Sequence, residues 1–277
     1  MLVNLNEVLL DAQKNHYAVG LFNTTDTDML QAVIEAAEKL RSPVIIGTAE
    51  ILLPYGELSL IAPSVIAAAK RASVPVVVHY DHGLTFERCM EALRLGFSSV
   101  MYDGSAKPYE QNVAETREIV RIAHAFHATV EGEIGHVGNA DGADPSVDRY
   151  TTVSEAQKYL EDTGVDALAI AIGTAHGQYK TAPQLSFDRL REIRSAIGVP
   201  LVLHGGSGLS DNDFRQAIEH GIAKVNIFTD LCLAGMKANA QSVQDGSDYL
   251  AARNAKKDAI AAAVERKILL FGSSGKA

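Results

Sequence analysis

Apolar runs bounded by Pro and Gly alternate along this chain with segments whose apolar residues recur at helical spacing. The clearest run is Val74-Pro75-Val76-Val77-Val78-His79-Tyr80-Asp81-His82-Gly83. Consecutive β-branched residues predict a strand buried on both faces. Polar side chains at its far end are not needed to build a core. Two later stretches have the same form. Ala167-Leu168-Ala169-Ile170-Ala171-Ile172 runs on to His176-Gly177, and Pro200-Leu201-Val202-Leu203 runs into His204-Gly205. Three buried strands therefore each lead to a His-Gly pair.

The same reading places a lead-in helix at 4–15 and strands at 17–22, 43–47, 74–83, 98–102, 129–134, 166–172, 199–204 and 224–228. Helical spacing predicts helices at 27–40, 58–71, 85–95, 109–126, 153–163, 187–197 and 210–220, with two more at 230–240 and 249–270. Pro63 is expected to interrupt or start the helix around it. Alternating βα units favour a parallel sheet, and eight of them favour a closed (β/α)8 barrel, a TIM barrel, with the lead-in helix and extra C-terminal helices added. An open doubly wound sheet would call for GxGxxG after the first strand, and Gly20-Leu21-Phe22-Asn23 does not supply it. No linker divides residues 1–277, so one barrel domain is expected.

Composition narrows the possibilities. The chain has 277 residues, 47% of them hydrophobic, enough for one large core. A net charge of −9 argues against nucleic acid or an anionic membrane as partner. Cys89 and Cys232 have no CxxC spacing, and no long apolar or signal-like run is present. A cytoplasmic, reduced protein is expected.

In such a barrel chemistry collects where strands end at their C-terminal side. Those ends carry Asn23, Thr48, Asp81 with His82, Asp103, Glu131 and Glu133, His176, His204, and Asn226 with Thr229. Three histidines on separate strands suit a zinc-type divalent ion with an open position for a substrate oxygen. Glu133 is a further or exchangeable ligand. His79 falls on the opposite strand face from His82 and reads as structural. Asp81, beside a ligand, is either a general acid/base or a partner that orients an imidazole. Gly205-Gly206-Ser207-Gly208 after strand seven and Asn226-Ile227-Phe228-Thr229 after strand eight occupy the usual phosphate-binding place of this fold, with Lys180 near.

Taken together, His79-Tyr80-Asp81-His82-Gly83, Glu131-Gly132-Glu133-Ile134-Gly135, Ala171-Ile172-Gly173-Thr174-Ala175-His176-Gly177, Leu203-His204-Gly205-Gly206-Ser207-Gly208 and Lys224-Val225-Asn226-Ile227 resemble the class II, metal-dependent ketose-bisphosphate aldolases of the fructose and tagatose type. The resemblance covers nearly the whole chain. It implies reversible cleavage of a ketose 1-phosphate or 1,6-bisphosphate to dihydroxyacetone phosphate and an aldehyde through a zinc-stabilised enediolate. It implies one zinc ion on His82, His176 and His204, with Glu133 taking part when the ion shifts. Asp81 would exchange the C4 hydroxyl proton. Gly177, Lys180, Gly205, Ser207 and Thr229 would hold the phosphate, with Na+ or K+ alongside. Asn23 and Asn226 would contact substrate, and a loop at 135–149 would return a proton. Homodimers or homotetramers are implied as well, and the apolar stretch 259–270 hints at a subunit interface.

The chain departs from the family pattern at three places. Asp141 stands where the loop usually carries glutamate, Ala49 where serine often helps to hold phosphate, and Gly246-Ser247 where an arginine serves the second phosphate. An aldehyde half that carries no phosphate, or carries another group, is the expectation that follows. The competing readings are a Schiff-base aldolase using Lys224, a metal-dependent hydrolase, and a non-catalytic sugar-phosphate binder. The hydrolase would show His-x-His on strand one, which this chain lacks.

Overall fold

The structure, a computed structural model, describes residues 1–135, 137, 150–177, 179 and 183–277. Asp141 and Lys180 lie outside the described residues.

The strands are β1 (Leu2–Val3), β2 (Val19–Asn23), β3 (Val44–Ala49), β4 (Val76–Gly83), β5 (Ser99–Tyr102), β6 (Thr129–Ile134), β7 (Ala167–Ile170), β8 (Leu201–Leu203) and β9 (Ile222–Ile227). All recorded pairings are parallel, and β2 through β9 form a closed ring in which β9 pairs with β2. The expected TIM barrel is present. Among the described residues eight α-helices follow the eight barrel strands. They are α2 (Thr27–Lys39), α3 (Leu58–Arg71), α4 (Phe86–Leu95), α5 (Tyr109–Ala125), α6 (Val153–Thr163), α7 (Phe187–Ala196), α8 (Asp211–Glu219) and α9 (Thr229–Gln244). The lead-in helix α1 (Asn6–Lys14) precedes them and α10 (Tyr249–Phe271) closes the chain.

Several helix starts are capped by side chains. Asp26 accepts from the Asp28 and Met29 amides, and Thr152 with Glu155 and Ser210 with Asp213 form capping boxes. Pro63 does not divide its helix; α3 runs through it. The hydrogen bond that Pro63 omits would have gone to the carbonyl of Ser59, a residue exposed to water.

Alternation along the strands separates two apolar layers. Outward-facing Phe22, Ile46, Val78, Tyr80, Val100 and Val225 pack under the helices. Inward-facing Val19, Leu21, Ile45, Val77, Ala167, Ala169 and Val202 meet Leu5, Val8, Leu9 and Ala12 from α1 and its lead-in. Helix α1 thus plugs the N-terminal end of the barrel. Strand β1 lies beside the start of β4, pairing with Val76 and Val77, whereas β5 joins β4 only from His79 onward.

Helix α10 is held to α2 by ion pairs. Arg253 Nε lies 3.1 Å from both oxygens of Asp28, Lys256 2.8 Å from Asp28, and Lys257 2.9 Å from Glu35. The stretch 259–270 presents two faces. Ile260, Ala263, Val264, Ile268 and Phe271 face inward and are buried, because α10 packs on the barrel and α2. Leu269 is exposed, and further exposed apolar side chains lie earlier, at Leu233, Met236, Val243, Tyr249 and Leu250. Among the described residues no helix is long and apolar enough to cross a membrane.

Candidate active site

Residues Val77, His79 and Asp81 of β4 face into the barrel by simple alternation, and His82 would face out. It does not. His82 has φ 47, and the pairing with β5 shifts register between Tyr80 and Gly83. A bulge of this kind re-aims a side chain. Two consecutive residues, Asp81 and His82, therefore reach the same mouth. Gly83 makes the bend possible, since a Cβ there would sit 2.6 Å from Cys89 Sγ and 2.8 Å from the Met101 carbonyl. His79 is consequently not on the far side from His82, as alternation suggested. It lies inside the barrel below Asp81, fully buried, with Nδ1 2.8 Å from Ser99 Oγ. Burial, and then the nearby Lys224 charge, lower its pKa to about 3, which keeps it neutral.

The three predicted ligands converge. His82, His176 and His204 present ring nitrogens that all lie within 4.8 Å of one another. His82 Nδ1 is 2.9 Å from Asp103 Oδ2, and His204 Nε2 is 2.8 Å from Glu131 Oε1. A carboxylate accepts, so those ring nitrogens carry the protons. The hydrogen-bond pattern then leaves His82 Nε2 and His204 Nδ1 as lone pairs, only 2.8 Å apart. His176 Nε2 is buried with no hydrogen-bond partner. Three ring nitrogens this close together, with carboxylates behind two of the rings, fit a divalent cation. Glu133 stands to one side, grouped with His82 and Asp103 rather than with His176 and His204. Burial, reinforced by Asp103, raises its pKa to about 8.

Asp81 accepts from Asn23 Nδ2 at 2.8 Å and from Asn226 Nδ2 at 3.0 Å. Burial pushes its pKa up, but the groups around it, the Lys224 cation among them, outweigh burial and hold the carboxyl well below its usual range. Beneath it, fully buried Lys224 pairs with Glu131 Oε2 at 2.8 Å and donates to Asn226 Oδ1 at 2.8 Å. Lys224 thereby fixes which end of the Asn226 amide faces Asp81.

On the other side of the mouth, the Phe228 and Asp230 amides donate to Ser207 Oγ at 3.3 and 3.4 Å, tying the loop after β8 to the start of α9. Gly177, Gly205 and Gly208 all have positive φ there. A Cβ on Gly205 would fall 2.6 Å from the Ala175 carbonyl carbon. With Thr229 in the first turn of α9, this arrangement is suited to an anion. Asp103, Glu131 and Tyr179 belong to the site's framework. Asp103-Gly104 after a predicted strand and Glu131 two residues before Glu133 were visible in sequence; nothing there marked Tyr179.

The sequence profile of the family described as Fructose-bisphosphate aldolase class-II matches residues 3–276. The chain belongs to the class II fructose-bisphosphate aldolase family. A fructose-bisphosphate aldolase of Staphylococcus aureus is 39% identical over 288 residues, covering 100% of this chain and 99% of that protein. The uncharacterized protein YdjI of Escherichia coli is 42% identical over 269 residues, 96% of each chain. The crystal structure of the Escherichia coli YdjI aldolase superposes with a TM-score of 0.92 at 38% identity over 100% of both chains. Membership in this family supports an aldolase, and zinc dependence is general in it.

Proposed function

We propose that the chain cleaves a ketose 1-phosphate, by a reversible retro-aldol reaction, to dihydroxyacetone phosphate and an aldehyde that carries no phosphate of its own. The observation that carries the aldolase reading is the convergence of His82, His176 and His204 beside ionised Asp81. His82, His176 and His204 would hold zinc, with Glu133 as an exchangeable ligand. A bound zinc ion would supply Lewis-acid stabilisation of negative charge on substrate oxygens.

The side chains divide the remaining work. Asp81 takes the C4 hydroxyl proton, the C3–C4 bond breaks, and its electron pair stays with the ketone half. Asn226, aimed by Lys224, donates to that half. Asn23 holds Asp81 and faces the substrate. Gly177, Gly205, Ser207 and Thr229, with Lys180, cradle the phosphate and leave room for Na+ or K+ beside it. Asp141 returns a proton to C3.

Support for an unphosphorylated aldehyde comes from charge. Gly246-Ser247 carries no cation, and the first cations of α10 are already engaged: Arg253 with Asp28, Lys256 with Asp26 and Asp28, and Lys257 with Glu35. A second phosphate would have no free bidentate partner there. Lys224 is unsuited to Schiff-base chemistry because it is fully buried in an ion pair. The exposed apolar residues of α9 and early α10 support a homodimer or homotetramer.

The deciding experiment is aldol condensation of dihydroxyacetone phosphate with a panel of phosphorylated and unphosphorylated aldehydes, before and after chelation and zinc return. Loss on chelation, recovery with zinc and preference for unphosphorylated acceptors are expected. Strong preference for glyceraldehyde 3-phosphate would overturn the substrate reading; full activity after chelation would overturn the metal reading.

A further inference from the structure

We infer that Tyr179 is a positioning residue whose hydroxyl sets the spacing between the segments carrying His176 and His204. The hydroxyl accepts from the Ala175 amide at 2.8 Å and donates to the Gly205 carbonyl at 2.8 Å. Ala175 directly precedes His176, and Gly205 directly follows His204. One oxygen atom therefore clips together the backbones next to two of the three histidines, on loops that follow different strands.

The two segments already lie too close for a side chain between them at Gly205. Gly205 has φ 65, and any side chain on it would collide with the Ala175 peptide. The Tyr179 ring lies under Gly208, where a Cβ would come 3.3 Å from ring carbon Cδ2. Ring and hydroxyl thus hold both ends of the turn from Gly205 to Gly208. The clip matters most for His176. Asp103 aims His82 and Glu131 aims His204, but among the described residues no carboxylate lies within ion-pair distance of His176. Its ring is placed by its backbone, and Tyr179 holds that backbone. Because the same turn leads to Ser207, the hydroxyl couples the spacing of the histidines to the anion cradle.

The inference rests on the three-histidine metal reading, and its test separates the two. Apo protein is titrated with cobalt(II) against a competing chelator, the visible spectrum of the cobalt form is recorded, and KM for dihydroxyacetone phosphate is measured. Y179F keeps the ring and removes only the clip. It is expected to bind cobalt about tenfold more weakly, the scale usual for lost outer partners of metal ligands. Its cobalt spectrum should change, its KM should rise by a larger factor than kcat falls, and hydrogen exchange at the Ala175 amide should accelerate. Y109F is the control, since it deletes a comparable hydroxyl bond to Asp162 between α5 and α6. A Y179F protein with wild-type cobalt affinity and spectrum overturns the inference, and so does an equal change in Y109F. If the wild-type protein takes up no cobalt, the metal reading falls and this inference with it.

Discussion

At the lower end of the barrel, the strands turn Val19, Leu21, Ile45, Val77 and Val202 inward against α1. Two to four residues further along the same strands, the inward positions are Asn23, Asp81, His204 and their neighbours. Backbone geometry is common to both ends, and only side-chain chemistry changes. The floor is dry and close-packed, and each fully buried aliphatic side chain there contributes roughly 1.5–3 kcal/mol. The mouth is buried too, yet it holds Glu133 Oε2, His176 Nε2 and Asn23 Oδ1 without partners. Such atoms cost stability unless a ligand meets them. The contrast teaches that the floor supplies rigidity from which strained and unpaired groups at the mouth, such as His82 at φ 47, can be held in place.

Substitutions at each level test that division. The largest effect is expected for D81N, with cleavage slowed on the order of 10^3–10^4-fold and zinc content unchanged, measured by steady-state kinetics and metal analysis. Cleavage within tenfold of wild type would make Asp81 an orienting group only. K224M leaves Glu131 buried without its cation and should lose roughly 3–5 kcal/mol in urea unfolding. The double variant E131Q/K224M should regain most of that stability without regaining activity, because Asn226 still lacks its donor. At the floor, L21A should cost about 2–4 kcal/mol while leaving kcat/KM near wild type. A matching collapse of activity would show that floor and mouth are not separable.

The smallest effect belongs outside the barrel. Asp28, whose pKa falls to about 2 chiefly through its hydrogen bond to Arg253, joins α2 to α10. Its carboxylate form stabilises the fold above the unfolded carboxylate range, and that contribution disappears as pH falls toward 2. The Arg253 side chain is 43% exposed, so screening limits the pair to about 1 kcal/mol. D28N should be less stable by that amount at neutral pH, with the gap closing between about pH 4 and pH 2 in acid titrations of unfolding.

The eight βα units were legible because strands covered on both faces must be continuously apolar, as Val76-Val77-Val78 and Ala167-Leu168-Ala169-Ile170 are. Strand β1 was not, since two residues show no period, and neither was the 3-10 helix Glu50–Tyr55. Strand-terminal His-Gly pairs marked His82, His176 and His204. What sequence could not show was how they are aimed. His82 reaches the mouth through one backbone torsion at a bulge, and Glu131 lies 73 residues from the His204 it orients. Tyr179 works through main-chain atoms of two loops, a contact that no motif encodes.

The plug formed by α1 has a consequence for traffic. With the floor sealed, the barrel is a cup and not a tunnel. Among the described residues α1 closes the other end, so whatever lies deepest would enter first and leave last. A molecule divided inside such a cup releases its outer fragment before its inner one, so exchange at this site is ordered by geometry before any difference in affinity is considered.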